Sequence, residues 1–440
     1  MPLLALVNLL PKYYPSRYQI HIALSIVAIF VIRAYAQGRS TNRDRDLHGR
    51  VILLTGAFTS IGSTLMEALA QRGAHIIALT HLPIEAPEVA LLVDAVRDTT
   101  KNERIFAEQC DFASVESVRA FCTKFLTGKE HRLDAIIFAH EYEHVGPIFS
   151  SKAEELACEE RRAVASDGTF LMMTLLLPTL LVAPPERDIR IINVINPFYA
   201  AAVPSFPTSP PVNGSNFLRE GHRSLRAAVL MRHLQRVLDA LPQAPAPDPF
   251  NASAAAASKK SQKSNIVAMS VSPGFSRHDT FAPLLRANHA SSEFSFFGLI
   301  LYILLQPILR ILAKSPSQSP QSILHALFLP TPFKLATMTK SETTGPENDD
   351  DTPPEEVLKP GALYSDCSIV RIDLRDRVQH HGNSDEKQGE FSKADLPDDG
   401  EYGGEALGRF VWETFEEALK NRERKFAEGT PVTTTDQKTE

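Results

Sequence analysis

The chain has 440 residues, of which 46 are basic and 52 acidic, for a net charge of −6. So even a balance supplies no basic field, and no basic stripe with interleaved aromatics occurs, which argues against nucleic acid as a partner. The four cysteines, Cys110, Cys122, Cys158 and Cys367, lie far apart without C-x-x-C spacing, so reduced, cytosol-facing thiols are expected rather than a disulfide framework or a metal site.

Residues 20–35 (IHIALSIVAIFVIRAY) form an apolar run with His21 near its start and Arg33 near its end. With Tyr18 and Tyr35 as interfacial aromatics it offers about 17 residues, or roughly 25 Å of helix, enough to cross a thin bilayer. No small-residue cleavage site follows, so the expectation is a retained membrane anchor over residues 1–38, with an amphipathic or buried helix as the alternative. Arg33, Arg39, Arg43, Arg45 and Arg50 follow the run, against Lys12 and Arg17 before it. By the positive-inside rule the rest of the chain then faces the cytosol. The expected partner is membrane lipid, in the endoplasmic reticulum or on a lipid droplet, with the mitochondrial outer membrane as a further site.

Residues 50–79 organise the main domain, expected over 48–335. They read as a buried strand (51–55), a tight turn, a helix (60–71) and a second strand (74–79). An apolar β-branched run that breaks at Thr55-Gly56 and resumes with helical spacing at Leu65 and Leu69 begins a parallel βαβ unit, whose turn and helix N-terminus face a phosphate. The alternative is a plain tight turn. A loop and helix (83–100), a strand (104–110) ending at Asp111, a helix (114–125) and a strand (133–137) follow. After them come a helix over 164–178, a strand (190–194) and a helix (224–241) with apolar residues at the 3.6 period. Asp111 is read either as an adenine contact or as the N-cap of the helix after it. Disordered insertions are expected near 203–222 and 242–264. The strand and turn of 265–279 contain Pro273-Gly274, and 294–312 is strongly apolar but interrupted by Pro307. That segment either dips into a bilayer surface or covers a substrate cleft. An acidic linker (336–360), an extension (361–425) that packs on the domain, and a disordered tail (426–440) complete the chain.

Several of these stretches carry a resemblance. Thr55-Gly56-x-x-x-Ser60-x-Gly62 resembles the TGxxxGxG turn of the short-chain dehydrogenase/reductase family, with Ser60 at the middle glycine. VASDGTFLMMTLLLP (164–178), Pro273-Gly274, GALYSDC (361–367) and LGRFVWETFEEAL (407–419) resemble segments of its retinol-dehydrogenase-like branch, in the right order. The resemblance implies an α/β fold with a doubly wound, Rossmann-like parallel sheet, and NADP or NAD as cofactor, with no metal. It would set the pyrophosphate over Gly56, Ser60, Ile61 and Gly62, the adenine by Asp111, and Pro273-Gly274 along the cofactor. Binding is expected to be weak, because Ser60 narrows the approach of the backbone. The neutral His81 after Thr80 offers neither a charge for a 2′-phosphate nor an acceptor pair for ribose hydroxyls.

The same resemblance fails at the chemistry. The family's asparagine, serine, tyrosine and lysine positions read Ala165, Asn196, Ser224 and Ala228, no Tyr-x-x-x-Lys occurs, and the Asn-Asn-Ala-Gly turn is replaced by Phe138, Ala139, His140 and Glu141. A register shifted by two residues puts His222 and Arg226 on the helix instead. Two functions follow. One is a membrane-anchored pseudoenzyme that keeps the fold as a binding or scaffolding module. The other is an oxidoreductase acting on a lipid, retinoid or steroid through His140, His222 or Arg226, since histidine can donate a proton near neutral pH.

Overall fold

The computed structural model describes residues 16–128, 132–142, 146–148, 150–184, 187–207, 215–241, 264–287, 294–332, 356–374 and 400–429. Of the expected disordered segments, 208–214, 242–263, 336–355 and 430–440 lie outside the described residues.

The chain enters through helix α1 (Ser16–Gln37), then alternates strand and helix: β1 (Val51–Thr55), α2 (Ser60–Ala70), β2 (His75–Thr80), α3 (Pro87–Thr100), β3 (Ile105–Gln109), α4 (Val115–Thr127), β4 (Ala135–Phe138), α5 (Lys152–Leu181), β5 (Ile189–Val194), α6 (Asn216–Ala240) and β6 (Ile266–Ser272). There follow α7 (Phe296–Leu312), α8 (Gln321–Phe328), β7 (Leu363–Ser365), β8 (Ser368–Val370) and α9 (Gly404–Gly429). Every residue of β1, β4, β5 and β6 is buried, the mark of strands covered by helices on both faces. They assemble an eight-stranded sheet in the order β3-β2-β1-β4-β5-β6-β7-β8, parallel except for the β7–β8 hairpin at one edge. This is the doubly wound, Rossmann-like sheet. Its order reverses between β1 and β4, so the carboxyl ends of those strands open the crevice where such sheets bind ligands. One face is packed by α4, α5, α6 and α9, the other by α2, α3 and α8.

Several boundaries differ from the sequence reading. Helix α6 begins at Asn216, so residues 216–222 belong to it and not to an insertion. The reason is packing: a Cβ on Gly221 would collide with the Phe198 carbonyl, and His222 Nε2 lies 2.8 Å from Ser205 Oγ. Helix α5 starts at Lys152 under a Ser151/Glu154 capping box and continues past Pro178 to Leu181. It is long and apolar enough to cross a membrane, but it is mostly buried and serves as a core helix. Pro307 does not interrupt α7, and α9 extends through 426–429. The 361–370 segment supplies β7 and β8 to the sheet itself. Tyr402 fastens α9 to that edge, accepting from Leu363 N–H (2.9 Å) and donating to the Val370 carbonyl (3.3 Å).

Candidate functional site

The β1–α2 turn is built by close packing. Gly56 has φ +65°, and a Cβ there would lie 2.8 Å from the backbone of His140; a Cβ on Gly62 would strike the Gly56 carbonyl. Both glycines are therefore demanded by the turn itself, whatever binds to it. Thr59 caps α2, accepting from Gly62 N–H (3.1 Å) and donating to the Gly56 carbonyl (2.9 Å). Ser60 is partly exposed, and its carbonyl accepts from the Ser63 and Thr64 hydroxyls.

The amide that such a turn would aim at a phosphate is already engaged. Ile61 N–H donates to Asp279 Oδ1 at 2.9 Å, while Asp279 Oδ2 accepts from Ser276 Oγ at 2.7 Å. Asp279 is buried, on a turn of π-helix (Arg277–Phe281) just after Pro273-Gly274. Burial pushes its carboxyl above the usual range, against the opposing pull of the Ser276 and Ile61 hydrogen bonds. Anions and helix N-termini attract each other, and here the anion is the chain's own. A dinucleotide laid over Gly56, Ser60, Ile61 and Gly62 would bring its diphosphate against this carboxyl. In this arrangement the residues do not fit that group.

Pro273-Gly274 is close by and equally committed. Gly274 has φ +89°, and its carbonyl accepts from Tyr142 Oη at 2.5 Å. Tyr142 is fully buried, which drives its phenol well above the ordinary range. Its own carbonyl accepts from Asn196 Nδ2 (3.3 Å), and Asn196 Oδ1 accepts from Phe198 N–H (3.2 Å). Asn196 thus holds the β5 end to the β4 end. His81 and Asp111 end the paired strands β2 and β3; His81 is exposed. Asp111 is not the N-cap of α4. Ser114 is, and Asp111 Oδ1 instead accepts from Ala113 N–H at 2.9 Å.

The alternative proton donors are engaged too. His140 is stacked on Phe112 at 3.9 Å, with Nδ1 2.8 Å from Thr55 Oγ1 and Nε2 3.2 Å from Thr169 Oγ1. Thr169 Oγ1 lies 2.7 Å from Glu141 Oε1. A hydroxyl has one proton, so if Thr169 donates to Glu141 the imidazole carries its hydrogen on Nε2 and accepts from Thr55 at Nδ1. Burial pulls the His140 pKa down to about 4, which keeps the ring neutral at pH 7. His222 pairs with Ser205, and burial followed by the charge of Arg226 lowers its pKa. Arg226 lies 5.1 Å over the Phe415 ring, beside Asp167, which in turn takes Arg422. Ser224 and Ala228 are buried on α6, and the Ala165 carbonyl lies 3.1 Å from Thr169 Oγ1, the other acceptor its proton could take.

The fold therefore brings the turn residues together with the Pro273-Gly274 loop, through Asp279, a contact the sequence reading did not include. Its signal was present: Ser276-x-x-Asp279 has the spacing of a helix-capping motif. Tyr142 and Thr169 carried no comparable local mark. Among the described residues no group of three or more His, Cys, Asp or Glu could hold a metal ion.

A family model described as short chain dehydrogenase matches residues 50–204. The chain is 27% identical over 315 residues to Uncharacterized oxidoreductase pbr1 of Schizosaccharomyces pombe, covering 70% of this chain and 77% of that one. It is 30% identical over 166 residues to Retinol dehydrogenase 12 of Bos taurus, covering 37% of this chain and 49% of the relative. A crystal structure of the short chain dehydrogenase from Shigella flexneri aligns with TM-score 0.46 and 12% identity, over 74% of this chain and 96% of that one. Over these residues the chain is similar to the short-chain dehydrogenase/reductase superfamily and to the retinol dehydrogenases within it, and NAD(P) binding is a trait of that family.

Proposed function

We propose that this protein is a membrane-anchored pseudoenzyme, a reductase fold kept as a binding or scaffolding module with weak dinucleotide affinity. The observation that carries the reading is the Ile61–Asp279 hydrogen bond, which places a carboxyl at the amide a diphosphate would use. It is supported by the residues at the family's catalytic positions. Asn196 is occupied in joining strand ends, Ser224 and Ala228 are buried, Ala165 carries only a methyl group, and none of these four side chains can act as a phenol poised by an ammonium. Helix α1 anchors the protein, with the domain on the cytosolic side of an endoplasmic reticulum or lipid droplet surface and lipid as its partner. Calorimetric and thermal-shift titration with NADP, NADPH, NAD and NADH tests the reading. Millimolar affinity with little preference is expected, and sub-micromolar binding of any of the four would refute it.

One observation favours a second reading, an oxidoreductase on a lipid, retinoid or steroid carbonyl or alcohol. The run Thr55, His140, Thr169, Glu141 is a continuous hydrogen-bonded path at the β1 and β4 ends, where ligands of such sheets bind. Turnover of such substrates that His140→Ala abolishes would establish this reading in place of the first.

A further inference from the structure

Helix α7 is amphipathic the wrong way round for water. Its inward stripe, Gly298, Tyr302 and Leu309, packs on Ala282, Leu285 and Ala287. Its outward stripe is Phe296, Phe297, Ile300, Ile303, Leu304 and Ile308, spaced at three and four residues, and Phe296 and Leu304 are 69% and 73% exposed. A surface helix in water presents charged and polar groups on that side. Here the only charged residue of the helix is Arg310, in its last turn, where a long side chain can reach a headgroup while the rest lies in apolar surroundings.

Helix α1 packs beside α7, and its outward residues, among them Leu24, Val27, Phe30 and Val31, are likewise exposed. The two helices are fixed at one level. Gln37, the last residue of α1, donates through Nε2 to the Ala313 carbonyl (2.9 Å) and accepts from Ser315 N–H at Oε1 (3.0 Å), immediately beyond α7. At 22 residues α1 is about 33 Å long, the thickness of a bilayer core.

We infer that α7 lies in the membrane surface beside α1, so that the protein meets the bilayer through two helices, α7 with its outward stripe among the acyl chains. This rests on the reading of α1 as an anchor. A bilayer is the occupant because the apolar face of α7 is continuous with that of α1: the lipid around one covers the other, and a soluble partner on α7 would have to displace it. The attachment reaches the candidate site. The chain leaving α7 pairs with the Asp279 loop, Lys314 N–H donating to the Phe275 carbonyl (2.8 Å) and Arg277 N–H to the Lys314 carbonyl (3.4 Å). Tyr302 Oη donates to the Arg277 carbonyl at 3.4 Å. The helix on the membrane is thus laced to the loop that fills the α2 N-terminus.

The test uses the full chain reconstituted in phosphatidylcholine/phosphatidylserine vesicles with and without brominated acyl chains. Trp412, the chain's one tryptophan, packs edge-on against Phe170 at 5.0 Å and serves as the unquenched reference. Leu304→Trp is expected to add blue-shifted emission that loses roughly half its intensity to bromine, as a side chain 5–10 Å deep should. Ile300→Trp repeats the measurement if the first variant folds poorly. Absence of quenching, while carbonate extraction still leaves the protein in the pellet, overturns the inference and leaves the anchor standing, whether the emission is red-shifted by water or blue-shifted by a protein partner. Release by carbonate together with absence of quenching overturns both.

Discussion

Replacing Asp279 by Asn removes a charge and keeps the shape of the contact. The amide oxygen still accepts from Ile61 N–H, and the amide nitrogen can donate to Ser276 Oγ, which now accepts. Two unit charges 4 Å apart at an effective dielectric of about 20 interact by about 4 kcal/mol. A diphosphate held over the α2 N-terminus would face that repulsion from an ionised Asp279, partly relieved by salt and by movement of the loop. Asp279→Asn is therefore expected to raise NAD affinity about 10²- to 10³-fold. Burial disfavours the ionised carboxyl by more than the Ser276 and Ile61 hydrogen bonds favour it, so the same change should leave stability at neutral pH level or slightly raised. Tighter ligand binding without a lower melting temperature is the joint signature. A pH series sharpens it. Burial raises the folded-state pKa of Asp279, so the carboxyl contributes stability that is present at low pH and fades as pH rises through the folded value. By the same titration the parent's affinity for NAD should climb as pH falls and the carboxyl is neutralised, while that of Asp279→Asn stays flat. Isothermal titration at several pH values, paired with thermal melts, measures both quantities. If parent and variant bind NAD equally, the carboxyl is not what keeps the diphosphate out.

Other outcomes follow from the same contacts. Arg190 is fully buried on β5, bonded to Asp188 (2.8 Å) and to the Ala326 and Leu329 carbonyls at the end of α8, so Arg190→Met should lower stability by about 3–5 kcal/mol in urea unfolding. Because His140 is held near pKa 4 against 6.5 when unfolded, its contribution is whole above pH 6.5 and is lost as pH falls towards 4; about 2 kcal/mol should go between pH 7 and pH 5, and the His140→Gln variant should lack that dependence. With retinal, steroid and long-chain ketone substrates and either reduced cofactor, turnover should be at most a trace, since general acid/base catalysis alone accounts for about 10²- to 10⁴-fold. Robust turnover abolished by His140→Ala, His222→Ala or Arg226→Ala would reverse the functional reading.

The sheet was legible because its central strands are buried on both faces and so read as unbroken apolar runs, β4 and β5 among them. The starts of α5 and α6 were not. Their first turns are rich in charged residues that pair with one another, Arg162 with Glu220 and Arg219 with Glu159, and such turns show little apolar periodicity. The positions that name the family were legible for the same reason they are retained: Gly56 and Gly62 are fixed by steric contact within the turn. Asp279 was hidden by distance, since 218 residues separate it from Ile61 and a capping spacing does not say which helix it serves.

On the proposed reading, that hidden contact lets the fold persist without the family's chemistry. A helix leaves its first amides without intrahelical partners, and an amide buried without an acceptor costs about 1–3 kcal/mol. Where a dinucleotide is a resident ligand, its phosphates can meet part of that need. In this chain Thr59 takes the Gly62 and Ser63 amides and Asp279 the Ile61 amide, so three of the first amides of α2 are met from within. Polar groups near Pro273-Gly274 are likewise paired internally, Tyr142 with the Gly274 carbonyl and Asn196 with the Tyr142 carbonyl. Small residues at Ser224 and Ala228 then pack as core, with nothing left for a phenol or an ammonium to position. On that reading, loss of the catalytic groups and internal satisfaction of the turn are two halves of one state. A dinucleotide that entered would have to displace hydrogen bonds the protein already makes, which is why the ligand titration of the Asp279 variant bears on the function more directly than any assay of turnover.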